Sequence, residues 1–107
     1  MVTKNREDGY RPLAGGITMQ NLVHGDETSM ARFRLARGSR LPLHSHPHEQ
    51  TGIMLSGSVR FTIDGEEFPV GPGDSWCIPG DVEHAVDVLE DSVIVEVFSP
   101  VREEYLD

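Results

Sequence analysis

Cysteine is almost absent from this chain: Cys77 is the single one in 107 residues. No intrachain disulfide is possible, so the fold does not depend on oxidation. Basic residues are scarce too, 9 against 18 acidic ones, for a formal charge of −9. That balance excludes nucleic acid as a partner, because phosphates would be repelled. It excludes an anionic membrane surface for the same reason. Long apolar runs are missing, and none approaches the ~20 residues that span a bilayer. The stretch Met1 to Arg11 is polar and carries no apolar segment of the signal-peptide kind. A soluble, cytoplasmic protein is expected. Sustained helical periodicity is also lacking, save for one short helical turn expected within Val101–Leu106.

The length suits one domain, since domains cluster at roughly 100–150 residues. Eleven glycines and seven prolines break the chain every few residues, which favours many short strands. Residues 1–13 read as a loose polar arm, and 14–107 as the folded domain. Strands are expected at Ile17–Val23, Ser29–Ala36, Thr51–Leu55, Val59–Ile63, Glu66–Val70, Ser75–Ile78, His84–Val88 and Ser92–Phe98. In the second of these, Ala31, Phe33 and Leu35 alternate with Arg32 and Arg34, giving one apolar and one charged face. Asp64-Gly65 is a two-residue hairpin signal, because both central positions of that turn need positive φ. Eight short strands at regular spacing imply an all-β antiparallel sandwich or barrel. Its exposed strand edges favour a homodimer.

The chemistry concentrates in Leu43-His44-Ser45-His46-Pro47-His48-Glu49-Gln50. On a strand, alternate residues share a face, so His44 and His46 point the same way. Two imidazoles with a third from elsewhere make a site for a divalent transition metal. His84, after a Pro-Gly turn at the head of a strand, can be delivered to it. Oxygen ligands are available at Gln50 or Glu49. His48 reads as a support of the site or a solvent-facing residue, and His24 as exposed. Cys77, beside Trp76 in an apolar strand, reads as a small buried hydrophobe. Arg32, Arg34, Arg37 and Arg40 read as an outer basic stripe paired with acidic neighbours or a second subunit.

These residues carry a resemblance. Gly38, His44, His46, Gln50 and Gly57 are similar to the first motif of the cupin superfamily, G-x5-H-x-H-x3,4-E-x6-G. Gly73, Pro79 and His84 are similar to the second, G-x5-P-x-G-x2-H-x3-N. The resemblance implies a single-domain double-stranded β-helix, or jelly-roll barrel, with a metal held by His44, His46, Gln50 and His84. Zinc, nickel, manganese or iron would suit those ligands. Three departures stand out: Gln50 replaces the usual Glu, Asp81 a Gly, and Val88 an Asn. A neutral amide leaves the metal its full charge and makes it a stronger Lewis acid.

Farther on, Ile94, Glu96 and Phe98 share one strand face, and Val93, Val95 and Val97 the other. If the valines pack between sheet layers, Glu96 and Phe98 can line the barrel interior; otherwise Glu96 is an ordinary exposed strand residue. The segment Glu96-Val97-Phe98-Ser99-Pro100-Val101-Arg102 resembles the pectin-degradation cupins, which linearise unsaturated monouronates. By that resemblance Glu96 takes the place of the family's Asp as acid/base. Phe98 becomes an apolar wall for the sugar ring, and Arg102 the anchor for the substrate carboxylate. Without the resemblance, Arg102 reads as a surface residue paired with Glu103, Glu104 or Asp107. A metal-dependent cupin dioxygenase and a non-catalytic barrel that binds a sugar acid or other small molecule are the alternatives.

Overall fold

The alternation that marks strands in the sequence appears in a computed structural model describing residues 1–107. In chain order its strands are β1 (Arg11–Ala14), β2 (Ile17–His24), β3 (Ser29–Leu35), β4 (Arg40–His44), β5 (Glu49–Ile63), β6 (Glu66–Val70), β7 (Ser75–Ile78) and β8 (His84–Ser99). A 3-10 turn at Glu103–Tyr105 follows, which is the helical turn expected in the tail. Asp64 and Gly65 form the predicted tight hairpin, with φ of 51° and 79°. No helix is long and apolar enough to cross a membrane.

Two pairs of expected strands are continuous. Thr51–Leu55 and Val59–Ile63 belong to β5, and His84–Val88 and Ser92–Phe98 to β8. The cause is mutual pairing: β5 and β8 run antiparallel from Glu49↔Ser99 to Ile63↔His84, so hydrogen bonding continues past the turn residues. Register shifts around Ser56 and Ser58 absorb the bend. Gly57 sits there with φ of 100°. A Cβ on it would lie 2.1 Å from Ser92 Oγ and 2.5 Å from Asp91 O, so only glycine fits.

The bend divides both long strands between two layers. One layer runs β1-β2-β3, the C-terminal half of β8, the N-terminal half of β5, then β7. The other runs β4, the N-terminal half of β8, the C-terminal half of β5, then β6. This is the jelly-roll barrel the motifs imply. Ile17, Met19, Phe33, Leu35, Met54, Val59, Ile78, Val88 and Ile94 fill the space between the layers.

The polar N-terminus is more ordered than a loose arm. β1 begins at Arg11, inside the expected arm, and pairs with β2. Upstream, the Arg34 guanidinium lies 3.8 Å from the Tyr10 ring and pairs with Glu7 at 2.9 Å. Arg11 donates to the carbonyls of Leu106 and Glu104, tying the two termini together. Polar residues that no core would accept find partners on the outer face of β3 and in the tail. The arginine stripe is thus divided: Arg34 pairs with Glu7, Arg40 approaches Asp87 at 3.7 Å, and Arg32 donates to Tyr10, Asn5 and Gln20.

Candidate metal centre

Three histidines converge where β4 ends and β8 begins. His44 and His84 are register partners across the two strands, and their ring centroids are 4.2 Å apart. His46 lies beyond the end of β4, with its ring 5.0 Å from His84 and 5.8 Å from His44. The strand that was to align His44 with His46 therefore stops at His44, and the turn before Pro47 completes the convergence. That turn is held by the Asp81 N–H, which donates to His46 O at 2.7 Å. Gly80 faces Pro47 so closely that a Cβ would meet its carbonyl oxygen at 2.4 Å. Asp81, the motif's usual glycine, adopts φ of 66°, a left-handed conformation that Asp tolerates.

The ring nitrogens are oriented for a ligand. Nδ1–H of His44 donates to Pro42 O at 2.8 Å, and Nδ1–H of His84 to Val82 O at 2.9 Å. Both bonds leave the Nε2 lone pair free. One ligand nitrogen from each of His44, His46 and His84 lies within 4.8 Å of the other two. His84 Nε2, both nitrogens of His46 and Gln50 Oε1 are buried without a hydrogen-bond partner. An unsatisfied buried polar atom costs about 1–3 kcal/mol, and a single ion takes one nitrogen per ring, so three of these atoms call for a common occupant. Three imidazoles and an amide oxygen fit a divalent transition metal. Burial holds the His46 pKa at about 4, with Arg102 and His84 adding repulsion and the approach of the Gln50 side chain opposing them. Burial likewise lowers that of His84, against its bond to Val82. Neutral imidazoles are the ligating form.

Gln50 turns its amide nitrogen away from this cluster and donates from Nε2 to Glu96 Oε2 at 2.6 Å. The same oxygen accepts from Trp76 Nε1 at 2.9 Å. Glu96 is buried, and desolvation raises its pKa although both bonds and Arg102 favour the ionised form. Ile94, Glu96 and Phe98 do face the barrel interior, while Val93, Val95 and Val97 are half-buried on the outer face. The valines therefore do not pack between the layers; the partners of Ile94 and Phe98 do.

Arg102 is placed by its backbone N–H, which donates to Ser29 Oγ at 3.0 Å. Its guanidinium lies 4.1 Å from the Tyr105 ring and 5.1 Å from that of Phe98. Nε pairs with Glu104 at 2.7 Å, although only 13% of the Arg102 side chain is exposed. Arg102 thus makes the tail ion pair and also faces the interior.

A cavity of about 30 Å³ is bounded by His44, His84, Gln50, Glu96, Arg102 and Tyr105, among others. Phe98 does not reach its surface; 1% exposed, it packs against Phe33, His46 and Tyr105. Its place is behind the site rather than at a wall open to a sugar ring. His48 is half-buried beside His46, at 5.5 Å between ring centroids. His24 is exposed. Cys77 is exposed as well, contrary to its expected burial, because the alternation of β7 turns Trp76 and Ile78 inward and Cys77 out. Two residues at the site went unpredicted, Trp76 and Tyr105. Gly52, on the inward row of β5, is the signal for the first: a glycine inside a strand marks a close approach.

The family profile described as "Cupin domain" matches residues 31–99. A pectin degradation protein, KdgF, of Dickeya dadantii is 29% identical over 102 residues, covering 94% of this chain and 93% of that one. The solved structure of KdgF from Halomonas sp. superposes with a TM-score of 0.92 at 27% identity, covering 99% of this chain and 98% of that one. Oxalate decarboxylase OxdC of Bacillus subtilis is 32% identical over 96 residues, covering 83% of this chain but 24% of that protein.

Proposed function

The chain belongs to the cupin domain family, and from that membership we propose a metal-dependent enzyme that linearises unsaturated monouronates from pectin or alginate breakdown. One observation carries this reading: a buried carboxylate, Glu96, and a shielded guanidinium, Arg102, border the same cavity as His44 and His84. The similarity to KdgF along almost the whole chain supports it. His44, His46, His84 and the Gln50 carbonyl oxygen would hold one divalent ion of zinc, nickel, manganese or iron. Bound there, the ion supplies Lewis-acid polarisation of a substrate oxygen, undiminished by any anionic ligand.

The remaining work falls to the chain's own residues. Arg102 uses Nε for Glu104 and keeps its terminal nitrogens for a carboxylate, which two parallel hydrogen bonds would orient. A local positive site is required because a protein of charge −9 repels a uronate at long range. Glu96, its pKa raised by burial, is suited to giving and regaining a proton during ring opening and tautomerisation. Phe98 supports the Arg102 guanidinium and the His46 ring from behind. A second copy would cover the outer face of β3, β5 and β8, where Met30, Ile53, Val95 and Val97 form a shallow apolar groove.

The test follows the ultraviolet absorbance of a lyase-generated unsaturated monouronate, with metal-loaded, chelated and Glu96→Gln protein beside the spontaneous reaction. Metal-dependent acceleration that falls 100-fold or more in Glu96→Gln is expected for loss of a general acid/base. No acceleration by any metal-loaded form overturns the proposal. The small cavity favours one other reading, a barrel that binds a metal or sugar acid without turnover. Binding of the uronate by calorimetry with no absorbance change would establish that reading instead.

A further inference from the structure

β7, β5 and β8 set three residues side by side on the inner face of one layer. Gly52 is the register partner of both Trp76 and Glu96, so it lies between them. Any side chain at position 52 would fill the space between its neighbours. A Cβ there would be 2.5 Å from Trp76 Cζ2, 2.6 Å from Cε2 and 2.7 Å from Nε1. The indole thus lies across the bare backbone of Gly52, and only this lets Nε1–H reach Glu96. On its other side the indole packs against Phe61, at 4.8 Å between centroids.

Glu96 Oε2 accepts two hydrogen bonds, from Trp76 and from Gln50. The Gln50 bond decides which way the amide faces: with Nε2 on the carboxylate, Oε1 is left for the histidine cluster. Trp76 also bounds a second hollow, of about 520 Å³, together with Phe61 and the inner face of β6. Phe61 borders both that groove and the histidine cavity. Phe61 is therefore shared by the two hollows, with Trp76 beside it on the groove side.

We infer that Trp76 is a positioning residue for Glu96 and, through Glu96, for the Gln50 amide, and that Gly52 is the vacancy that admits it. The indole restricts the carboxylate to the rotamer that faces the site and shields it from the groove. This inference rests on Glu96 being the group that moves the proton in the proposed reaction, but the contact can be tested without substrate.

Trp76 is the chain's single tryptophan, so ¹⁵N-labelled protein shows one indole N–H resonance. In the wild type that resonance is expected to exchange slowly with solvent. Glu96→Ala and Gly52→Ala should each shift it and speed its exchange, the first by removing the acceptor and the second by displacing the ring. An indole resonance left unmoved by Glu96→Ala in a folded protein overturns the inference. Trp76→Phe keeps one aromatic ring and removes the donor together with the second ring, so it provides a second arm if Gly52→Ala fails to fold. In the uronate assay it should lower kcat about tenfold, the usual scale for losing one hydrogen bond to a charged group, with KM within about twofold. Wild-type kcat in folded Trp76→Phe also overturns it. If the wild type does not turn over the uronate, the proposed reaction falls, and the resonance alone decides the Trp76–Glu96 contact.

Discussion

Two hollows share Phe61, and they differ in kind. The groove beside β6 and β7 is the larger, about 520 Å³, with an aromatic and aliphatic floor and a rim of Asp64, Glu66 and Asp74. Those carboxylates are exposed, and no buried polar atom of the groove lacks a partner. The histidine cavity holds about 30 Å³, yet unpartnered atoms of Gln50 and His84 line it, and those of His46 lie beside His84. A large apolar hollow is the usual first guess for a binding site. Here the better mark is the gathering of unsatisfied buried groups, because water and solvated carboxylates satisfy the groove at no cost. The small cavity does not.

The contrast is broken most severely by His84→Ala. It removes one of the three imidazoles proposed to hold the ion and should reduce divalent-ion affinity 100-fold or more, since even indirect support of a ligand is worth 10–100-fold. Calorimetric titration with zinc or manganese checks this, along with loss of the metal-induced rise in Tm. Next comes Arg102→Lys. It keeps the charge but not the forked donor geometry, so KM for the uronate should rise on the order of tenfold with a smaller change in kcat.

Acid should act on the small cavity as well. His46 has a folded-state pKa of about 4 against an ordinary 6.5, so between those values the unfolded chain binds a proton that the folded chain refuses. Stability from this group is complete above pH 6.5 and lost as pH falls towards 4. The metal-free protein should accordingly lose Tm between pH 7 and pH 4.5, less steeply in His46→Gln, as thermal denaturation by circular dichroism would show. The smallest effect is reserved for the groove. Glu66→Gln should leave kcat/KM within about twofold, since an exposed carboxylate away from the reacting atoms contributes little. A tenfold change there would join the two hollows into one site.

Most of the framework was legible in the residues. Alternation in β3, the Asp64-Gly65 hairpin and the His44, His46 and His84 spacing carried through to structure, because each depends on local geometry or on a motif short enough to read. The continuity of β5 and β8 was not legible. Turn residues at Ser56-Gly57 and Glu90-Asp91 look like breaks in one strand alone, and only pairing with the other keeps the backbone extended. Cys77 was misplaced because a four-residue strand gives too little alternation to choose its inward face. The order of residues 1–13 was missed because their partners, Arg32, Arg34 and Asp107, are far along the chain.

The sequence by itself determined an all-β, acidic, single-domain chain with a metal-ligand spacing and a carboxylate on an alternating strand. Tertiary structure alone decided that Glu96 faces inward, that Gln50 shares it with Trp76, that Phe98 stands behind the cavity and that Arg102 reaches it. The reason is physical. Strand periodicity sets two faces but not which one meets the other layer, and a hydrogen bond across three strands exists only once register and a missing side chain, at Gly52, bring its atoms together.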